Sequence, residues 1–147
     1  MAQADAAQSA LPGSLESDDL RDPVQALAFF YRAFNDGDIE KMDRVWDHSP
    51  EAVVISPVVG ITRGWPAIRA AYEHGFKSPS TLRTAFYDFT IQRFTDIFVA
   101  IGRERAQSVS STGTSNLAAQ ATNIFRKSGD GTWKLLHHHV SLAGPPA

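Results

Sequence analysis

The sequence contains no cysteine. That absence removes disulfide frameworks, thiol nucleophiles and thiolate metal centres, and it makes a reducing cytoplasm the expected compartment. No apolar run approaches the roughly 20 residues that a membrane-spanning helix needs, and the first twenty residues lack the basic start and apolar stretch of a secretory signal. An excess of one charge is missing too, with 14 basic residues against 16 acidic ones. Asp5, Glu16, Asp18 and Asp19 fall in the first twenty residues, where no Lys or Arg occurs, so the rest of the chain is only mildly positive. Neither a nucleic acid nor a membrane is therefore an expected partner. Phosphate-cradling glycine loops and a Gly-x-Ser-x-Gly nucleophile elbow are also absent.

What remains is 147 residues, 43% hydrophobic and 20% charged, a composition that fits one globular domain. Residues 1–21, rich in Ala, Gln, Ser and Asp, are expected to form a disordered acidic tail ahead of a single domain over residues 22–143. Asp22-Pro23 is a cap followed by a proline suited to the first helical turn. Val24, Leu27, Ala28, Tyr31 and Phe34 then recur at helical spacing, which predicts a helix over about 23–35. Gly37-Asp38 ends it and opens a second, short helix carrying Ile39, Met42, Val45 and Trp46 inward. A β-branched run from Ala52 to Ser56 predicts a strand, and Pro66 starts a third helix reaching about residue 76. Beyond Leu82 the period turns towards two, with strands expected near 83–94, 97–108, 116–127 and 132–142. Ser110 to Ser115 reads as a flexible hairpin loop. Short connections make these strands antiparallel, so the fold class is α+β, three N-terminal helices on an antiparallel sheet.

The strand faces carry the functional information. On the strand from 97, Phe98, Ala100, Gly102, Glu104 and Ala106 share one face, and Ile97, Val99, Ile101, Arg103 and Arg105 share the other. On the strand from 116, Leu117, Ala119, Ala121, Asn123 and Phe125 align. Small residues facing helices that bear Phe30, Phe34, Trp46 and Tyr72 either leave a concavity or let a helix pack closely. Glu104 on that face lies either at a solvent rim or in a pocket, where desolvation would raise its pKa and suit it to general acid-base work.

Near the end, Leu135 to Ser141 spans three consecutive histidines. Alternation places His138 with Leu136, Val140 and Leu142, opposite to His137, His139 and Ser141. His138 is either a hydrogen-bonded core histidine or a proton-transfer group. His137 and His139 lack the further ligands that a metal set needs, so no metal is expected.

Phe34-Asn35-Asp36-Gly37-Asp38-Ile39, Gly64-Trp65-Pro66-Ala67-Ile68-Arg69, the stretch from Asp96 to Arg103 and that from Asp130 to His139 with Ser141 occur in this order within one domain length. In these motifs the chain, over about residues 23–142, resembles the SnoaL-like branch of the nuclear transport factor 2-like (NTF2-like) superfamily. That superfamily also holds ketosteroid isomerases and the association domains of calmodulin-dependent kinases. The resemblance implies a cone of three helices against a curved sheet, an apolar pocket in the concavity and a homodimer through the sheet's convex face, here Ile97, Val99, Ile101 and Ile124. It also implies no cofactor. The isomerase base position falls on Ser56, the tyrosine on Phe30 and the second acid on Asn123, so two of the three lose their chemistry. An enzyme of this kind would use Glu104, His138 and Asn123 as catalytic groups on a small apolar organic molecule. Phe30, Phe34, Ser56, Arg69, Tyr72 and Phe98 would contact that substrate, as in an isomerase, cyclase or dehydratase. The alternative is a non-catalytic ligand-binding or oligomerisation module.

Overall fold

A computed structural model describes residues 3, 4, 8–11 and 18–144. Helix boundaries follow their caps. Asp22 accepts a hydrogen bond from Gln25 N at 2.9 Å, and α1 runs Pro23–Asp36. It ends at Gly37, whose φ of 61° turns its N–H back onto the carbonyls of Ala33 and Phe34. Asp38 then caps α2 (Ile39–Val45) by accepting from Glu40 N and Lys41 N, both at 3.1 Å. Replacing Asp38 by Ala is expected to lower stability by about 1 kcal/mol, read as an earlier urea midpoint. An unmoved midpoint would show that solvent serves these amides equally well. After Gly64 comes α3 (Trp65–Phe76), with a proline in its first turn.

Four long strands form the body of one sheet: β5 (Thr81–Arg93), β6 (Ile97–Ser110), β7 (Gly113–Lys127) and β8 (Trp133–Leu142), each antiparallel to the next. The fold is α+β, helices on a curved sheet, as the sequence implies. Three features differ from expectation. The segment 110–115 is a tight hairpin, since Ser110 pairs with Gly113 and only two residues turn between them. Gly113 makes this feasible with a φ of 140°. A short strand β4 (Gly60–Arg63) pairs with β3 (Val53–Ser56), and β3 lies parallel to β8. Four residues such as Gly60-Ile61-Thr62-Arg63 carry too little pattern to announce a strand, and a parallel pairing across some 80 residues of sequence has no local signal at all.

Within the expected tail, β1 (Gln3–Ala4) and β2 (Gln8–Ala10) pair antiparallel with β5, and residues 1, 2, 5–7 and 12–17 lie outside the described residues. At its inner end, Leu20 is buried and its carbonyl accepts from Trp133 N at 2.8 Å. Asp18 pairs with Arg32 at 2.9 Å. The sheet order is β1-β5-β6-β7-β8-β3-β4, with β2 also on β5.

The core lies between the helices and one sheet face. Phe98, Ala100, Gly102 and Glu104 are buried on β6, and Ala119, Ala121, Asn123 and Phe125 on β7, as alternation requires. On β5 the register slips between Tyr87 and Thr90 at a bulge where Asp88 has a φ of 50°. The slip turns both Phe86 and Phe89 inward, although they are three residues apart. A second irregularity, between Ile124 and Phe125, changes the phase of β8. Leu135 is therefore buried and Leu136 only half-buried, whereas His138 keeps its inward place.

Candidate functional site

Four polar side chains meet on the inner sheet face. The hydroxyl of Tyr31 donates to Glu104 Oε2 at 2.6 Å, Asn123 Nδ2 donates to the Tyr31 hydroxyl at 2.9 Å, and His138 Nδ1 lies 2.5 Å from Asn123 Oδ1. All four residues are buried, none more than 8% exposed. Asn123 and His138 are direct cross-strand partners on β7 and β8. Glu104, on β6, faces Ala119, one alternation beyond the Gly102/Ala121 pair, and Tyr31 reaches down from α1 to close the gap.

The donors all run one way. Because the Asn123 amide nitrogen is committed to Tyr31, its oxygen must accept from His138, which puts the imidazole proton on Nδ1 and leaves Nε2 with a lone pair. Burial pushes the His138 pKa down to about 3, with the neighbouring His137 and His139 adding to the shift, so the ring is neutral. Burial raises Glu104 to about 7, and the hydrogen bond from Tyr31 only partly opposes it. The Tyr31 hydroxyl is raised well above its usual value, by burial first and then by the Glu104 charge, and so keeps its proton. Chemically, the row offers one carboxyl poised to take or give a proton near neutral pH, steadied by a phenol, an amide and a neutral imidazole.

Glu104, Asn123 and His138, singled out from the sequence, are thus brought together. Phe30 packs edge-on against His138 with ring centroids 4.9 Å apart, and against Trp46 at 6.3 Å. Tyr72 lies close enough for the Glu104 charge, after burial, to raise its hydroxyl pKa. Phe34 joins Tyr72 and Phe76 in an aromatic group at the end of α1. Ser56 lies on the same face of β3 as buried Val54, and its hydroxyl accepts from Val58 N and Val59 N, which shapes the turn into β4.

Two residues are not brought to the row. Phe98 is stacked on Phe125 and set edge-on to Trp133, six positions along β6 from Glu104 and so about 20 Å away. Arg69 is held by Glu73, by Asp43 at 3.6 Å and by Glu40 at 3.8 Å, an acidic group on α2 and α3 that occupies its head.

The residue that sequence reasoning missed is Tyr31. The isomerase tyrosine had been matched to Phe30, and it is the next residue that bridges the carboxyl and the amide. A signal existed. Tyr31 is the one hydroxyl in the stripe Val24, Leu27, Ala28, Tyr31, Phe34, and a buried tyrosine usually seeks a partner.

The small-residue face also resolves locally. A Cβ on Gly102 would lie 2.6 Å from Phe89 Cβ and 2.8 Å from Phe86 Cζ, so at this position the missing side chain makes room for aromatic rings. Two concavities, of about 500 and 360 Å³, are lined largely from the outer sheet face. Among the described residues no three potential ligands come together for a metal, and no helix is long and apolar enough to cross a membrane.

This architecture is shared. A candidate dehydratase of the NTF2-like family from Streptomyces avermitilis superimposes with a TM-score of 0.73 at 22% identity, covering 82% of this chain and 92% of that one. The CaMKII hub of S. rosetta gives 0.70 at 21% identity, covering 82% and 93%. A candidate ketosteroid isomerase from Shewanella frigidimarina gives 0.64 at 17% identity, covering 87% and 98%. At these identities the likeness is one of fold. No curated protein sequence matches the chain. The family profile of the SnoaL-like domain matches residues 24–145, a span that holds all three helices, the four long strands and the whole buried polar row. With its α+β architecture shared by NTF2-like structures, the chain belongs to the SnoaL-like domain family.

Proposed function

We propose that the protein is an acid-base enzyme acting on a small, mostly apolar organic molecule, in the manner of an isomerase, cyclase or dehydratase. One observation carries this reading: the one-way row His138, Asn123, Tyr31, Glu104 ends on a carboxyl whose pKa is about 7. Such a group is abundant in both forms at neutral pH, so it can abstract a proton as carboxylate and return it as acid. Tyr31 and Asn123 hold it in place, and His138 Nε2 offers an acceptor for a substrate hydroxyl. Phe30 and Tyr72 supply apolar walls beside these groups.

The test is solvent deuterium exchange into a panel of small cyclic ketones and hydroxyketones, followed by NMR. Glu104→Gln is expected to reduce exchange by a factor of about 10² to 10⁴. Equal rates in the parent and the variant would overturn the assignment of Glu104.

A second reading, a non-catalytic binding or oligomerisation module, is favoured by one finding: the row is at most 8% exposed while two concavities open on the outer face. It would pair two copies through the convex face, where Ile97 and Ile101 are exposed beside half-buried Val99 and Ile124. No exchange by the parent on any ketone, together with a dimer in native mass spectrometry, would establish it in place of the first. On either reading the proposed compartment is the cytoplasm.

A further inference from the structure

Arg83 and Arg105 stand on the outer face of the sheet, as shown by their alternation with buried Thr84, Phe86 and Glu104. The register pairs Ala85 with Arg105 and Arg83 with Gln107, so the two arginines are diagonal neighbours, a separation of about 7–8 Å between backbones. On the next strand Gln107 meets Asn116 and Arg105 meets Ala118. Arg83, Arg105, Gln107 and Asn116, with Asn35, Thr84 and Ala85, line a concavity of about 360 Å³. Neither Arg83 nor Arg105 has a carboxylate partner among the described residues, whereas nearby Arg103 is tied to Asp88 at 2.8 Å. The guanidinium carbon of Arg105 lies 4.8 Å over the ring of Tyr87, on the side of Ala85 away from Arg83, so the head swings off the ring to grip an anion between the two arginines.

Two guanidinium groups that border one concavity from adjacent strands carry like charge, and an oxyanion placed between them offsets their repulsion. Their planar donor forks match the oxygens of a carboxylate or phosphate, and the amides of Gln107 and Asn116 can donate to further oxygens. The small side chain of Ala85 leaves the space open. We propose that this outer concavity is a binding site for a small dianionic oxyanion, a phosphate monoester or a dicarboxylate, gripped by Arg83 and Arg105. Glu104, the β6 neighbour of Arg105, faces the opposite side of the sheet, which separates the site from the buried row.

Titrating the full chain with inorganic phosphate and, separately, with succinate at constant ionic strength should give saturable amide shifts on β5, β6 and β7, with sodium chloride as the control. Arg83→Gln combined with Arg105→Gln should weaken that binding at least about tenfold, the expected loss of charge-assisted hydrogen bonds. Both residues are exposed, so the fold should survive, and an unchanged amide spectrum elsewhere would show it. Saturation by phosphate alone identifies the phosphate class, and by succinate alone the dicarboxylate class. Shifts that match those of chloride, or an affinity unchanged in the double variant, would overturn the proposal.

Discussion

Glu104→Gln is expected to gain about 3 kcal/mol of stability relative to the parent protein as the pH rises from 4.5 to 7. In the folded chain the carboxyl keeps its proton up to about 7, whereas the unfolded chain releases it near 4.5. Over that window the native state binds more protons, so the parent loses stability as pH rises; below and above it the contribution is constant. Glutamine has no such proton, and its carbonyl can still accept from Tyr31. His138 acts in the opposite sense. Its folded pKa of about 3 lies below the ordinary 6.5, so stability is gained as pH rises between these values. In the parent the two slopes oppose each other between pH 4.5 and 6.5. In the variant the His138 slope remains, at about 1.4 kcal/mol per pH unit, and His137, also lowered by burial, adds to it in the same sense near the top of the window. Urea unfolding at steps across the window measures this, and parallel profiles for parent and variant would show that Glu104 is solvated in the native state.

Gly102→Ala is expected to destabilise the fold by about 3 kcal/mol, the upper end of the usual range for overpacking. The added methyl would lie 2.6 Å from Phe89 Cβ, an atom anchored to its own backbone, and 2.8 Å from the Phe86 ring. Relief requires moving a strand. Phe86 in turn stacks on Tyr31, with centroids 5.0 Å apart and planes at 10°, so the displacement reaches the phenol that holds Glu104. Loss of stability should therefore come with a changed Glu104 titration, seen by NMR of its side-chain carboxyl. A variant with the parent's midpoint and the parent's titration would mean that the rings have room to spare.

The three helices and four long strands were legible because each rests on local chemistry. Asp22, Asp38 and Gly37 fix helix ends through hydrogen bonds to residues within four positions. Alternation on β6 and β7 gave the inward faces correctly, and with them Glu104 and Asn123. On β8 His138 was placed correctly, but Leu136 was not, because a register slip between strands changes the phase and leaves no mark in the residue types. The bulge at Asp88 is similar in kind, its consequence being two inward phenylalanines that no simple period predicts.

For the site, the sequence by itself determined that thiol chemistry is excluded, since there is no cysteine, and it supplied three of the four members of the row by face and strand. Tertiary structure alone decided that Tyr31 joins them, since a hydrogen bond spanning 73 residues depends on how α1 crosses the sheet. It also decided that Arg69 spends its charge on Glu73, Asp43 and Glu40, and that the gap left by Gly102 is filled by rings from β5. Caps and alternation are local and can be read along the chain. A pKa of about 7 on Glu104 comes from burial by distant segments and exists only once they have packed.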